Sequence, residues 1–386
     1  MRVAYVINSV EGGGAATPVP AVCDVLRRHG AEVRVLALTG RDRRGLAAME
    51  QAGLDVSVRD GGEADHRAAL GWLRDAVADA GAEVVWTSLT RATLLGQIAA
   101  GWLGLPVVSW QHAAFLKPAN RVLLRLRQRR TALWLADSEC VAALTKARLG
   151  VPDSRLMTWP LFAVDPGAPQ GTPWQPDEPL RIGSLGRLHR VKGFDVLVEA
   201  IALLQTPALK PRASFEVLIA GEGHERAALE EAIARHRLTN VRLVGFDAKP
   251  RDFLATLHLY VQPSRSEGLC IAAHEAMQAG LPTICSAVGE MPYTILDRQT
   301  GRVVPPGDPE ALAFALADCL VAPEKLRSIG DASRARVTAK LGRAAFESRG
   351  AEVVSRVAAL LPGGAGERHR TTIPGPTGRS ASRRSA

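Results

Sequence analysis

Cysteine is sparse in this chain. Five occur among 386 residues, at positions 23, 140, 270, 285 and 319, and no two form a CxxC pair. That excludes a disulfide scaffold and a paired-cysteine zinc site, and it fits a reducing compartment. No uninterrupted apolar run is long enough to span a bilayer. The longest uncharged stretch, Ala92 to Leu116, contains Gln97, Gly101, Gly104, Pro106, Gln111 and His112, the pattern of a helix running into a strand. The opening MRVAYVINSV meets Glu11 and three glycines at once, so it reads as a strand and its loop rather than an export signal. A cytoplasmic protein is expected. No repeat of short fixed period is visible.

Charge is not short, but it is local. The net charge is +9. Lys117 to Arg130 carries six basic residues and no acidic one, and residues 363–386 carry five against one. A general nucleic-acid-binding surface would spread such an excess over a face of the fold; here a nucleic-acid role rests only on the tail. The remaining composition, 47% hydrophobic and 23% charged, is that of a globular protein with a core of normal size. The length suggests two or three domains.

Val-rich runs alternate with helical patterns from end to end. Val3–Ile7, Glu32–Ala37, Asp55–Val58, Glu83–Thr87, Pro106–Trp110 and Leu133–Ala136 form one series of strands. Arg181–Gly186, Ser214–Ala220, Asn240–Val244, His258–Gln262 and Pro282–Cys285 form a second. Such alternation predicts parallel sheets covered by helices on both faces, an α/β fold of two doubly wound domains. Between the series lies Asp165–Pro179, with five prolines in fifteen residues, a linker composition. The expected boundaries are 1–164, a linker at 165–179, 180–342, a helix at 343–361 and a disordered basic tail at 362–386.

Three segments offer chemistry. Gly12, Gly13 and Gly14 follow the first strand and let the backbone approach a ligand closely, although they match neither GxGxxG nor a P-loop. Arg187 and Lys192 follow the strand that starts at Arg181. Two cations beyond the carboxyl end of a parallel strand suit a diphosphate leaving group, whose charge grows as its bond breaks. The third segment runs from Pro263 to Pro282 and holds Glu267 in a loop and Glu275 on the next helix. A carboxylate accepts two hydrogen bonds from a vicinal diol.

That third segment reads P-S-x-x-E-G, then six residues, then E-A-M-x-A-G-x-P. It resembles the signature of the retaining, nucleotide-sugar-dependent glycosyltransferases of family 4, which have the GT-B fold of two Rossmann-like domains facing across a cleft. Gly186-Arg187-Leu188 with Lys192-Gly193, Ala220–Gly223, Asn240–Phe246, Asp137-Ser138-Glu139 and Leu149–Pro152 resemble further family segments in order. The resemblance implies that Arg187 and Lys192 hold the diphosphate, with Gly268, Leu269, Cys270 and Ile271 beside it. It implies that Glu275 binds the ribose, Glu267 the donor hexose, and Val244 and Gly245 the base. His112 would face the donor sugar, and Gly12–Gly14 would approach the reacting centre. The donor would be a UDP- or GDP-sugar, with no metal required, and the helix at 343–361 would cross back to the first domain. Three positions depart from the family pattern: Cys270 where glycine is common, Phe162-Ala163-Val164-Asp165 at the domain junction, and His258 before the strand.

The expected acceptor is a glycan, a lipid-linked molecule or a small molecule. Read as a helix, Lys117–Trp134 places Ala119, Val122, Leu123, Leu126 and Leu133 on one side and arginines on the rest. Such a helix suits an anionic membrane surface, at the inner face, assisted by Arg379, Arg383 and Arg384. Two other readings remain: a GT-B epimerase or phosphorylase, and a sugar-nucleotide-binding protein without turnover.

Overall fold

The structure is a computed structural model, and it describes residues 1–11, 16–112, 116–209, 211 and 213–361. Gly12, Gly13, Gly14 and the basic tail lie outside the described residues.

Two parallel sheets build the molecule. The first contains β1 (Arg2–Ile7), β2 (Glu32–Ala37), β3 (Asp55–Val58), β4 (Val84–Ser88), β5 (Val107–Gln111), β6 (Leu133–Ala136) and β7 (Leu156–Thr158). Its spatial order is β3-β2-β1-β4-β5-β6-β7. The second contains β8 (Leu180–Leu185), β9 (Phe215–Ala220), β10 (Val241–Gly245), β11 (Leu259–Gln262), β12 (Thr283–Ser286) and β13 (Gly301–Val304), in the order β10-β9-β8-β11-β12-β13. We call the units built on them the first and second lobes. This is the expected fold class. Every strand pair is parallel, with Tyr5 facing both Val35 and Trp86 across β1. Strand order reverses once in each sheet, between β1 and β4 and between β8 and β11. A crevice opens beyond the carboxyl ends at such a switch point, and ligands of open α/β sheets bind there.

The central strands are buried on both faces, which is why they are almost wholly apolar. In the first lobe the core is aromatic. Trp110 stacks on Trp159 with ring centroids 5.0 Å apart, and Trp86 lies between Tyr5 and Trp110. The helix Arg343–Ala358 packs on this same core. Phe346, Val353 and Val357 are buried there, and Trp159 Nε1 donates to the Phe346 carbonyl at 3.0 Å. Each such side chain contributes about 1.5–3 kcal/mol on burial.

The proline-rich segment is not a free strap. Gly171 N donates to the Ala279 carbonyl at 2.8 Å, and Trp174 packs on the second core. The 117–134 segment also differs from the sequence reading. Its helix covers only Pro118–Arg127, a short 3-10 turn takes Gln128–Arg130, and Leu133 and Trp134 are buried in β6. The helix anchors itself through Leu124, while Val122, Leu123 and Leu126 stay exposed.

Candidate active site

At the second switch point two loops are pressed together. Gly193 has φ +69°, and a Cβ there would lie 2.0 Å from the Pro263 carbonyl oxygen, so only glycine permits the contact. The approach brings Lys192 Nζ to 2.7 Å from Glu267 Oε1. Glu267 is fixed from the sheet side by a relay of buried groups. Tyr260 Oη donates to Gln262 Oε1 at 2.6 Å, Gln262 Nε2 to Ser264 Oγ at 2.8 Å, and Ser264 Oγ to Glu267 Oε1 at 2.6 Å. Burial alone would lower the Lys192 pKa, but Glu267 outweighs it and holds the ammonium above its usual value. Arg187 is exposed at the end of the same loop.

Gly268, Leu269, Cys270 and Ile271 lead from Glu267 into the helix Ile271–Gln278. Cys270 takes a left-handed conformation (φ 63°) just before it, and burial pushes its thiol far up. His274 Nδ1 donates to the Cys270 carbonyl at 2.9 Å. Burial lowers the His274 pKa to about 4, so the ring is neutral. The amides of Ile271 and Ala272 at the helix start have no acceptor among the described residues and suit an anion.

Glu275 stands one turn further on, outside the Lys192–Glu267 pair. Its carboxylate lies 3.5 Å from Arg251 Nε, and Arg251 in turn binds Asp165 at 2.7 Å. Burial raises the Glu275 pKa while Arg251 opposes the shift. Val244 and Gly245 close β10, at the outer end of the β8-β9-β10 row. The next residue, Phe246, is half exposed, and Arg44 of the first lobe lies over its ring at 4.2 Å.

The lobes meet at His112, just past β5. A Cβ on Gly268 would come within 2.1 Å of the His112 carbonyl oxygen, so the loop that carries Glu267 and the first lobe touch here. Glu290 makes a second contact. Its Oε2 accepts from Cys140 N of the first lobe at 3.3 Å, and its Oε1 pairs with Lys340 at 2.7 Å. The His112 side chain is buried, and burial lowers its pKa to about 3. Asp137 Oδ2 is 3.9 Å from His112 Nδ1, too far for a hydrogen bond. Burial, with Glu290 and Glu267 nearby, raises the Asp137 carboxyl well above the usual range. Among the described residues neither ring nitrogen of His112 has a partner, and neither does Asp137 Oδ1. Buried polar atoms of native proteins are almost always bonded, so these are poised for a ligand.

The structure therefore joins Lys192 to Glu267 and sets His112 opposite them. It leaves Glu275 in a separate network and Arg187 at the surface. Sequence reasoning did not single out Gln111, Asp137, Ser264 or Glu290 for the site. For Asp137 a signal existed, because Asp137-Ser138-Glu139 stands at a strand's carboxyl end.

Comparison with known proteins bears on this arrangement. Residues 173–336, most of the second lobe, match the family model described as glycosyl transferases group 1. The amylovoran biosynthesis glycosyltransferase of Erwinia amylovora is 32% identical over 192 residues, 47% of this chain and 46% of the relative. The D-inositol 3-phosphate glycosyltransferase of Streptomyces coelicolor is 31% identical over 199 residues, 50% of this chain and 38% of the relative. The match thus spans less than half the length of these relatives. Among solved structures, Anabaena HepE in complex with UDP-glucose superposes with a TM-score of 0.79 at 19% identity, over 92% of this chain and all of that one. The sucrose-phosphate synthase of Thermosynechococcus elongatus gives 0.76 at 18%, over 93% and 99%. The shared fold is the two-lobed GT-B arrangement.

Proposed function

We propose that the protein is a retaining glycosyltransferase that moves a hexose from a nucleotide diphosphate donor to an acceptor hydroxyl. The observation that carries this reading is the Lys192–Glu267 pair, held at the second lobe's switch point, with His112, whose ring nitrogens have no partner among the described residues, facing it across the cleft. Lys192 and Arg187 neutralise the diphosphate, aided by the amides of Leu269, Cys270 and Ile271. Glu275 takes the ribose hydroxyls, and Val244 and Gly245 border the base. Glu267 and neutral His112 hold the hexose.

In the reaction the acceptor oxygen bonds to the anomeric carbon on the face from which the diphosphate leaves. The departing phosphate oxygen takes the acceptor's proton. Residues 1–164 would serve the acceptor, 180–342 the donor, and the Asp165–Arg251–Glu275 tie would couple the junction to the nucleotide. Closure against the first lobe would exclude water from the donor. The neighbour crystallised with UDP-glucose makes that the first donor to try. The relatives' names suggest glycan or small-molecule acceptors.

A peripheral membrane contact is part of the reading. The helix Pro118–Arg127 exposes Val122, Leu123 and Leu126 beside Arg121 and Arg125, as an interfacial helix does. Among the described residues no helix is long and apolar enough to cross a membrane.

Calorimetry with UDP, GDP and ADP tests the donor site. One nucleotide should bind saturably and more weakly to Glu275→Ala; if none binds, the transferase reading fails. Retention of the protein by anionic vesicles at low salt, lost in Leu126→Asp, tests the membrane contact.

A further inference from the structure

We propose that a cavity on the first-lobe side of His112 holds an anionic group, a phosphate ester carried by the acceptor. The inference rests on the donor occupying the second lobe. The cavity, of about 200 Å³, lies beyond the carboxyl ends of β4 and β5, and every described residue lining it belongs to the first lobe.

Its wall begins at Leu89, directly after β4. Leu89 has φ +74°, a conformation residues with a Cβ rarely adopt and one that tends to be kept at ligand sites. The strained residue starts the fourteen-residue helix Thr90–Leu103 at the cavity edge. Of that helix's opening amides, Ala92 N is used by Asn8 Oδ1 at 2.9 Å and Thr93 N by the Leu89 carbonyl. Those of Thr90 and Arg91 have no acceptor among the described residues. The Arg91 side chain is directed to Asp65, 3.1 Å away.

A second observation points to a ligand. Gln111 is only 3% exposed, lines the cavity, and its Nε2 has no hydrogen-bond partner among the described residues. His112 brings its own unpartnered ring nitrogens, and Lys117 and Asn120 complete the wall. Among the described residues no carboxylate lines the cavity. The wall is thus rich in donors. A sugar hydroxyl both donates and accepts, whereas a phosphate at neutral pH chiefly accepts, so the phosphate suits this wall better. A helix N-terminus adds the favourable field for it.

The test uses the full chain saturated with UDP, which occupies the donor-side cations, titrated with inorganic phosphate by calorimetry. Saturable binding is expected, weakened at least tenfold by Lys117→Gln and by Gln111→Leu, with UDP affinity unaltered in both. Absence of phosphate binding, or equal affinity in Lys117→Gln, overturns the proposal; Lys117 is exposed, so that variant keeps its fold. If UDP itself fails to bind, the donor reading falls, and phosphate titration of Lys192→Ala without nucleotide still decides this one. Competition by a soluble sugar phosphate identifies a soluble acceptor. Competition only by polyprenyl phosphate in neutral vesicles identifies a lipid-linked one.

Discussion

The two crevices are built by the same topology and are finished in opposite ways. In the second lobe the charged groups already satisfy one another: Lys192 meets Glu267, Glu267 meets Ser264, and the relay continues to Tyr260. In the first lobe Gln111 Nε2, both ring nitrogens of His112 and Asp137 Oδ1 are buried with no partner among the described residues. A paired crevice is pre-organised, so little reorganises when a charged ligand arrives. An unpaired crevice keeps its full hydrogen-bonding capacity for whatever enters, at a cost to the empty protein. The contrast fits a donor side specialised for one kind of ligand and an acceptor side whose specificity lies in a few donors.

The comparison can be broken most severely at Lys192. Lys192→Ala should lower kcat by about 10²–10³-fold, as loss of one charge-stabilising donor does, with a smaller effect on thermal unfolding. A collapsed melting temperature with normal specific activity would contradict it. Gly268→Ala should come next. Its methyl would have to displace the His112 carbonyl, and a misplacement of about 1 Å costs up to about 10²-fold in rate. Single-turnover kinetics should show transfer falling more than donor binding. Equal losses in both would make the contact one of folding rather than closure.

Glu275→Ala sharpens the donor half. Losing the ribose hydrogen bonds should weaken nucleotide binding by about 1–3 kcal/mol. Arg251→Ala is the control: an equal loss there would mean Glu275 acts only through the tie to Asp165. On the other side, His112 has a pKa of about 3 and is already neutral at ordinary pH. The kcat/KM profile should therefore show no limb near pH 6.5, and a limb that vanishes in His112→Gln would refute the neutral ring.

The smallest effect concerns stability. Burial raises the Asp137 pKa, so above the unfolded chain's value near 3.8 the folded protein keeps a proton that the unfolded chain has lost. That contribution falls as pH rises toward the folded value. Asp137→Asn removes it, and its stability advantage in urea melts should be larger at pH 8 than at pH 4. A gap that shrinks with pH would show the carboxylate to be ionised.

Much of the fold was legible because buried parallel strands are nearly continuous apolar runs. The two strands missed, β7 and β13, each lie at one edge of their sheet and are only three and four residues long, too short to leave a clear apolar run. The 117–134 helix was overextended because Leu133 and Trp134 continue its apolar spacing, while their burial is decided by pairing with Val108 and Ser109. Lys192 and Glu267 were legible because their loops follow strands. The Glu275–Arg251–Asp165 tie was not, since its members lie 24 and 86 residues apart and only packing joins them. Glu290 was hidden for the same reason: its partner Cys140 N is a backbone group 150 residues away.

The helix Arg343–Ala358 has a consequence for how the chain is made. Trp159 and the Phe346 carbonyl that receives its indole hydrogen are 187 residues apart. At roughly 5–20 residues per second, translation needs about 10–40 s to pass from one to the other. Throughout that interval the first lobe has its sheet but lacks the helix that covers Trp159. The second lobe, whose strands all lie inside the gap, can complete its sheet first. The N-terminal half of this protein is therefore the last to be finished, and a ribosome stalled between the two positions would hold it with an aromatic face uncovered.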